Sequence, residues 1–409
     1  MNFPPLKEQM ALLMRGVLET VPEREFEKKL QKSIDTGTPL RIKLGVDPTA
    51  PDVHLGHTVV MRKLRQFQDF GHQVVLIVGD YTAMIGDPSG RNKTRPRLSH
   101  EQVMENAKEY QEQFFKIVKR EQTEIRYNGE WFSSMSFEKI TELMGSITVA
   151  QMLERKDFKS RYTNGQEISL HEFLYPLMQG YDSIVIKSDI EIGGTDQKFN
   201  VLRGRELQLL EGMEPQVGLF MPILLGTDGE QKMSKSIGNY VGLNESADVM
   251  YHKIYNIADN LAESWFELLT DKSKDEITDL LNGDILAAKK TLALNIVSEY
   301  HSEQAANIAA EKEKAVHGGN IDWENLSNLP GDTVIKDIED KGDYTNLDIL
   351  DLTGAFSSRG EARRMLANNG VKINGKIVTN ANETLDRNII KNRCFVQIGK
   401  RKFFVLKFR

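Results

Sequence analysis

Apolar and polar positions along the first part of the chain follow two different periodicities, one typical of strands and one typical of helices. Residues 40–46 alternate as a strand does, and residues 73–78 form a continuous apolar run typical of a strand buried on both faces. Between them, residues 54–70 have helical spacing and are followed by Gly71, a residue suited to end a helix. Further helices are predicted over 101–120, 169–181 and 196–210, and further strands over 124–127, 189–192 and 217–225. The pattern predicts an α/β domain with a doubly wound parallel (Rossmann-like) sheet over residues 1–240.

The pattern changes after residue 240. Residues 241–316 keep helical spacing with few glycines or prolines, which predicts a helical domain. Residues 317–346 are polar and acidic and contain Gly-Gly and Pro-Gly pairs, so they are predicted to be a linker. Residues 347–409 are rich in basic side chains and are predicted to form a separate module.

The composition is that of a globular protein with more than one core. The 409 residues exceed the size of an ordinary single domain, and 40% are hydrophobic and 27% charged. No apolar run approaches the roughly 20 residues that a membrane helix needs, so no membrane partner is expected. The one cysteine, Cys394, excludes an internal disulfide and a cysteine-based zinc cluster. The start of the chain lacks the features of a signal peptide, and a cytoplasmic location is expected.

The net charge of −6 conceals opposite balances in two parts of the chain. Residues 352–409 contain 13 Lys and Arg against three Asp and Glu, whereas the rest of the chain has a net charge of −16. An acidic body with a basic terminal module is typical of an enzyme whose appended module binds a polyanion. A solvated, lysine-rich surface without a partner is the alternative.

The sequence His54-Leu55-Gly56-His57 stands at the start of a predicted helix. Positions three apart share one helix face, so both imidazoles can point into the same cleft. Gly56 has no Cβ, which lets a base or ribose approach the backbone, and the helix N-terminus offers N–H donors to a phosphate. Asp47 and Thr49 precede it at the carboxyl end of the first predicted strand, the edge at which ligands bind in open α/β sheets. Two surface histidines beside a tight glycine contact are the alternative interpretation.

The sequence Lys232-Met233-Ser234-Lys235-Ser236 lies between Gly- and Asp-containing segments, which predicts a mobile loop. Two ammonium groups on flexible stems suit the phosphates of a triphosphate and can move with them. An exposed turn that merely contains lysines is the alternative. Together, the two motifs indicate a pocket for ATP in which imidazoles and lysines stabilise a leaving pyrophosphate. Mg²⁺ is expected to accompany the ATP, and the sequence contains no dedicated carboxylate cage for a metal.

A third segment places polar groups along one face of a predicted helix. Tyr175, Gln179 and Asp182 stand at positions i, i+4 and i+7, so a phenol, an amide and a carboxylate share that face. Such a stripe is unusual for a core. It can hold the ammonium group of an amino acid at one end and a hydroxyl at the other, although a Tyr–Asp pair that caps a helix end is the alternative.

The histidine and lysine motifs resemble the two signatures of class I aminoacyl-tRNA synthetases, with Leu55 where isoleucine is commoner. Residues 85–90, 175–182 and 193–197 further resemble bacterial tyrosyl-tRNA synthetases. The resemblance implies a homodimeric ligase that activates L-tyrosine with ATP to tyrosyl-adenylate plus pyrophosphate. It also implies that the enzyme then transfers tyrosine to the 3′ end of tRNA(Tyr).

The same resemblance implies roles for individual residues. Catalysis would fall to His54, His57, Lys232, Lys235 and Thr49, ATP binding to Asp47, Gly56, Gly194, Asp196, Met233, Ser234 and Ser236, and tyrosine binding to Asp87, Tyr175, Gln179, Asp182 and Gln197. Asp182 would accept a hydrogen bond from the phenol, so that phenylalanine leaves a buried acceptor unpaired. Many relatives place a second tyrosine on the first strand to share this contact, whereas Lys43 stands here, and the partner of Asp182 is left open. Arg91 and Arg95 are expected to close over the pyrophosphate, with a solvated basic loop as the alternative.

The basic module resembles an S4-type RNA-binding domain, a small α+β fold, over residues 358–378. A helix rich in arginine is predicted to lead into a hairpin with Asn374-Gly375 as its two-residue turn. The residues expected to contact RNA phosphates are Arg359, Arg363, Arg364, Lys372 and Lys376. A basic hairpin without a partner is the alternative.

Two other functions remain open from the sequence. A tryptophanyl enzyme of the same class is the nearer one, and the tyrosine-type segment 175–182 and the S4-like module argue against it. An RNA-binding protein that retains a synthetase scaffold is the other. It would have no need of His54, His57, Lys232 and Lys235 as groups that stabilise pyrophosphate.

Overall fold

The structure is a computed structural model that describes residues 3–49, 52–87, 99–318, 333–339, 342–385, 393–399 and 402–409. The chain divides into two compact units. The first comprises Met1–Asn244 and Glu263–Ile277, and the second comprises Glu245–Ala262 and Thr278–Arg409. The first unit thus includes residues 241–244 and 263–277, which lie beyond the expected end of the α/β domain at residue 240. The remainder of the predicted helical segment falls in the second unit together with the basic module.

A six-stranded sheet forms the centre of the first unit. Its strands are β1 (Glu19–Val21), β2 (Arg41–Val46), β3 (Gln73–Val78), β4 (Thr123–Tyr127), β5 (Ile190–Gly194) and β6 (Val217–Met221). They are arranged in the order β1-β6-β5-β2-β3-β4, and all neighbours are parallel except β1 and β6. From β2 the chain builds one side of the sheet and then returns to build the other. The predicted doubly wound sheet is confirmed, and its switch point lies between β2 and β5.

The helices connect these strands and continue through the second unit. In chain order they are α1 (Leu6–Leu13), α2 (Glu23–Thr36), α3 (Leu55–Asp69), α4 (Thr82–Ile85), α5 (His100–Phe114), α6 (Gly129–Phe132), α7 (Phe137–Gly145), α8 (Val149–Met152), α9 (Lys156–Thr163), α10 (Leu174–Val185), α11 (Lys198–Leu210), α12 (Ala247–Tyr255), α13 (Ala262–Leu269), α14 (Lys274–Asn282), α15 (Ile285–Tyr300), α16 (Glu303–Gly318), α17 (Asn346–Thr353) and α18 (Arg359–Ala367). Short 3-10 turns occupy Arg120–Gln122, Leu170–Phe173, Thr195–Gln197 and Asp259–Leu261. Along the described ranges, no helix is long and apolar enough to cross a membrane.

Local chemistry explains where several of these elements begin and end. His54 is the N-cap of α3 in an extended conformation, and Gly71 follows the helix with φ +93°, a value that favours glycine. All residues of β3 except Gln73 are buried, as its apolar run predicts. The helix expected over 169–181 begins instead as a 3-10 turn, and regular α10 starts at Leu174.

The second unit contains a five-stranded sheet near the end of the chain. Its strands are β7 (Val334–Ile338), β8 (Val371–Ile373), β9 (Lys376–Ile377), β10 (Arg393–Ile398) and β11 (Lys402–Phe408), in the order β7-β11-β10-β8-β9. Neighbours are antiparallel except β7 and β11. The apolar faces of α17 and α18 pack on this sheet through buried residues such as Leu350, Leu366 and Val396. The small α+β domain expected from the resemblance is therefore present.

The expected linker at 317–346 contains regular structure at both ends and within it. The last helix before it, α16, extends to Gly318, and α17 begins at Asn346. Between them, β7 adds a parallel strand to β11 at the edge of the terminal sheet. Sequence pattern misses β7 because two of its apolar residues, Val334 and Ile335, are largely exposed and flanked by charges.

Candidate active site

A cavity of about 290 Å³ opens at the carboxyl ends of β2 and β5, the switch point of the sheet. The sequence-predicted residues that line it are Asp47, Thr49, His57, Asp87, Tyr175, Gln179, Asp182, Gly194, Asp196, Gln197 and Lys232. They come from six stretches of the chain, namely 47–49, 57, 87, 175–182, 194–197 and 232. The structure therefore gathers most of the predicted nucleotide and amino acid residues around one space.

The two motif histidines stack on each other at the start of α3. Their ring centroids are 3.8 Å apart, and the His54 backbone N–H donates to Nδ1 of His57 at 3.2 Å. Burial lowers the pKa of His54 to about 4, with a smaller effect from Lys232. Burial also lowers the pKa of His57 to about 3, with further lowering by His54 and Lys232. Both imidazoles are therefore neutral at pH 7, when each carries one N–H donor.

Gly56 makes room for two neighbours. A Cβ at this position would lie 3.0 Å from the His54 ring and 3.5 Å from Cβ of Met233. The Gly56 N–H also points at Sδ of Met233, 3.3 Å away. Gly56 is thus needed to pack the histidine motif against the lysine loop. Met233 is 1% exposed, so its side chain belongs to this contact, and its N–H donates to the Leu224 carbonyl oxygen at 3.0 Å.

The lysine loop holds its two ammonium groups against carboxylates. Nζ of Lys232 lies 2.8 Å from Oδ2 of Asp196, at the edge of the cavity. Lys235 pairs with Asp52 and does not line the cavity. Both lysine side chains are more than half exposed, which leaves them able to exchange partners.

The backbone of the same loop is fixed by a residue that the sequence did not single out. The Asn239 side chain accepts from the Ser234 N–H at 2.8 Å and donates to Oδ2 of Asp228 at 2.9 Å. The hydroxyls of Ser234 and Ser236 lie 2.9 Å apart. The lysine side chains extend from this fixed turn, and mobility of the loop stays a prediction.

The predicted ammonium site lies beside β2. The Tyr175 hydroxyl donates to Oδ2 of Asp47 at 3.0 Å. Asp87 accepts from Nε2 of Gln197 at 2.7 Å and from the Arg155 guanidinium at 3.1 Å. Arg155 is 5% exposed and precedes α9, a short polar helix with no motif, so no local signal identifies it. Arg91 and Arg95, expected to close over the pyrophosphate, lie outside the described residues.

Asp182 is buried at the far side of the cavity, with 2% of its surface exposed. Its Oδ1 accepts a hydrogen bond from Nε1 of Trp131 at 3.0 Å. Burial raises the pKa of Asp182 from 3.8 to about 7, against opposing effects of Lys43 and the indole N–H. Trp131 is therefore a protein partner of Asp182, and the Asn128 side chain is another. Sequence reasoning missed Trp131 because α6 is a single turn far from α10 in the chain.

Metal-binding side chains do not cluster in the described parts of the chain. No group of three or more His, Cys, Asp or Glu residues there has the geometry to hold a metal ion. The lone thiol, Cys394, is buried in the terminal sheet, and burial raises its pKa to about 12.

Comparison with known proteins decides between the functions that the sequence left open. The family model for tRNA synthetases class I (W and Y) matches residues 35–318, and the S4 domain model matches residues 348–388. The chain is 46% identical to the tyrosine–tRNA ligase of Carboxydothermus hydrogenoformans over 414 residues, 100% of both chains. It is also 46% identical to that of Aquifex aeolicus over 402 residues, 97% of this chain and 98% of the relative. The chain belongs to the tyrosine–tRNA ligase family.

A solved structure supports the fold of this tyrosine–tRNA ligase family member independently. The C-terminally truncated mitochondrial tyrosyl-tRNA synthetase of Aspergillus nidulans matches with a TM-score of 0.62 at 21% identity. The match covers 76% of this chain and 94% of that chain. At this identity the likeness shows the fold alone. The tryptophanyl alternative is not supported, because full-length relatives of high identity are tyrosine–tRNA ligases.

The S4 domain of this family member presents basic side chains on α18 and the following hairpin. Arg363, Arg364 and Lys376 are exposed, and Lys372 is half-buried. Arg359 is exposed but pairs with Asp351 at 2.6 Å and with Asp348 at 3.3 Å. The predicted turn is present, since Asn374 and Gly375 join β8 to β9 with φ values of +46° and +80°.

Proposed function

We propose that this chain activates L-tyrosine with ATP and then transfers the tyrosyl group to the 3′ end of tRNA(Tyr). The observation that carries the proposal is the shared cavity. The amino acid stripe of α10 lines the same space at the switch point as His57 and Lys232, whereas His54 and Lys235 lie outside its lining. A carboxylate held by the stripe and a triphosphate held by the motifs would therefore meet there.

In the first step, a carboxylate oxygen of tyrosine attacks the α-phosphorus of ATP. The bond between the α-phosphorus and the bridging oxygen breaks, and pyrophosphate leaves. Mg²⁺ that accompanies ATP would offset part of the phosphate charge. Lys232 and Lys235 would leave Asp196 and Asp52 for the phosphate oxygens, where their charge offsets the charge of the leaving group. The neutral imidazole of His57, which lines the cavity, can donate a hydrogen bond without first losing or gaining a proton.

The two ends of tyrosine would be read by different groups. Asp87, Tyr175 and Gln179 surround the predicted position of the ammonium group. Asp182 would accept the phenol hydrogen bond beside Trp131. A buried acceptor left without its hydroxyl costs free energy, so phenylalanine would be disfavoured. Asp196, at the end of β5, would meet the ribose once Lys232 has moved.

ATP–pyrophosphate exchange in the presence of single amino acids tests this proposal. We expect exchange with tyrosine, and much weaker exchange with phenylalanine or tryptophan. Exchange with tryptophan but not tyrosine would contradict the substrate assignment. No exchange with any amino acid would favour an RNA-binding protein that retains the scaffold.

The S4 domain would bind tRNA(Tyr) through phosphates, which its exposed basic side chains can contact. Truncation after Gly318 removes the whole terminal sheet, including β7. It is cleaner than truncation at residue 346, which would delete β11 and leave β7 without its parallel neighbour. We expect the truncated chain to keep tyrosine-dependent exchange and to lose tRNA charging. The double variant Arg363→Glu/Arg364→Glu should weaken tRNA binding and reduce its salt dependence. Charging that is unchanged at physiological salt would contradict this role.

A homodimer would bury a set of apolar side chains that one copy leaves exposed. Phe137 is 83% exposed, Leu170 81%, Tyr162 68% and Val149 62%, and all lie between α7 and α10. Large apolar groups exposed together are typical of an interaction surface. We expect Leu170→Asp to convert a dimer to a monomer in sedimentation analysis, whereas Leu18→Asp, at an exposed leucine outside this segment, should not. A wild-type chain that sediments as a monomer would contradict the dimer.

A cytoplasmic location remains a prediction. It rests on the unpaired, buried Cys394 and on the substrates of the proposed reaction.

A further inference from the structure

A buried ion pair lies directly beneath the proposed tyrosine site. Lys43 on β2 and Glu191 on β5 are paired in the register of the parallel strands, so their side chains share one face of the sheet. Nζ of Lys43 lies 3.0 Å from Oε1 of Glu191, and the two side chains are 0% and 1% exposed. Such a pair persists only when further hydrogen bonds satisfy both groups, because removing two charges from water is costly.

Most of those further bonds go to α10, the helix that carries the amino acid stripe. Lys43 donates to the Gln179 carbonyl oxygen and to Oγ of Ser183, each at 2.7 Å, and so grips one turn of α10. Glu191 accepts from Nε2 of Gln179 at 3.0 Å, from Ser183 at 3.2 Å and from Gln216 at 2.5 Å. Glu191 also lines the cavity, whereas Lys43 does not. The pair therefore fixes both the backbone and the side chain of Gln179.

The Gln179 side chain, fixed in this way, is hydrogen-bonded in turn to other residues of the site. Its Oε1 accepts from Nδ2 of Asn200 at 3.0 Å, and the same Nδ2 donates to Oε1 of Gln197 at 3.0 Å. Gln197 in turn donates to Asp87 at 2.7 Å. A continuous chain of hydrogen bonds thus links the ion pair to the carboxylate proposed to hold the ammonium group.

The hydroxyl end is tied to the same turn. Asp182 immediately precedes Ser183, which Lys43 and Glu191 both contact. The Lys43 ammonium bonds Gln179, Ser183 and Glu191, whereas Asp182 is hydrogen-bonded by Trp131 and Asn128. Lys43 thus does not contact the tyrosine hydroxyl itself but holds α10, the helix that carries Asp182.

We propose that the Lys43–Glu191 ion pair is a positioning element for tyrosine selection, which sets the turn 179–183 so that Gln179 and Asp182 meet the two ends of the substrate. The inference rests on the proposed function of the cavity. Misplacement by about 1 Å can cost about 100-fold in rate, so loss of the pair should reduce selection of tyrosine over phenylalanine even where the fold survives.

A double-mutant cycle separates this role from simple anchoring. The variants are Lys43→Met, Glu191→Gln and the double variant, whose side chains keep similar volumes and remove the charges singly or together. Each single variant leaves one buried charge unpaired and should lower the urea midpoint, and the double variant should recover it. The ratio of kcat/KM for tyrosine to that for phenylalanine, measured by pyrophosphate exchange, should stay at least about tenfold below wild type in the double variant. Its KM for ATP should be unchanged.

Lys63→Met is the matched control. Lys63 is also a buried lysine of the first unit, but it donates to the Leu12 and Arg15 carbonyls and does not line the cavity. This variant should lose stability and keep wild-type selectivity. A double Lys43/Glu191 variant that recovers both the urea midpoint and the selectivity would overturn the proposal and leave the pair a structural anchor. A wild-type protein that fails to activate tyrosine would instead refute the proposed function.

Discussion

The substitution Trp131→Phe isolates one hydrogen bond of the tyrosine site. It keeps an aromatic ring against Val75, Ile77 and Ile186 but removes the N–H that donates to Oδ1 of Asp182 at 3.0 Å. The carboxylate then loses a donor that favours its charged form. The pKa of Asp182, already raised to about 7 by burial, should therefore rise further.

The size of this rise follows from the strength of the lost bond. A hydrogen bond to a charged group contributes about 1.5–3 kcal/mol, and one pKa unit corresponds to about 1.4 kcal/mol. The pKa of Asp182 should move up by about one to two units. Because the ionised carboxylate is the stronger acceptor for the phenol, kcat/KM for tyrosine should rise through a pH midpoint that is about one to two units higher in the variant.

Pyrophosphate exchange between pH 6 and pH 10, with limiting tyrosine, measures this midpoint. Asp182→Asn and Asp182→Asn/Trp131→Phe are the controls, since neither has a carboxyl group to titrate at this position. Neither control should show this pH-dependent rise in kcat/KM for tyrosine. A midpoint that is the same in wild type and Trp131→Phe would refute the reasoning.

Three further predictions concern stability, pH and charge. Burial raises the folded-state pKa of Asp182 from 3.8 to about 7, so this side chain lowers the free energy of unfolding as pH rises between these values. In urea titrations, the free energy of unfolding of Asp182→Asn relative to wild type should therefore be about 3 kcal/mol higher at pH 8 than at pH 5. Because the pKa values of His54 and His57 are lowered to about 4 and 3, the pH profile of kcat/KM for ATP should show no histidine inflection near pH 6.5. Lys232→Ala should lower kcat for exchange by about 10²–10³, with little change in KM for tyrosine.

The sequence predicts which side chains lie near one another where those residues are close together in the chain. The stacked pair His54 and His57, and the stripe formed by Tyr175, Gln179 and Asp182, follow from helical periodicity alone. The long strands follow from apolar runs, because both faces of the central strands are buried. The switch point then places the strand ends, and hence Asp47 and Asp196, at one edge.

Long-range partners could not be predicted in this way. Trp131 and Arg155 reach Asp182 and Asp87 from short helices whose positions depend on tertiary packing. The sequence contains a weak indication of the Lys43–Glu191 pair, since each is a charged residue in the interior of a mostly apolar strand. Only the register between β2 and β5 shows that the two charges meet. The edge strand β7 could not be predicted from hydrophobic pattern, because an exposed edge strand needs no apolar pattern.

A structure of the protein with L-tyrosine bound tests the central claim most directly. The account predicts the phenol oxygen within about 3 Å of an Asp182 carboxylate oxygen and the ammonium group against Asp87, Tyr175 and Gln179. Tyrosine bound in the reverse direction would contradict it. A phenol oxygen that contacts other groups, while Asp182 keeps only its protein partners Trp131 and Asn128, would also contradict it.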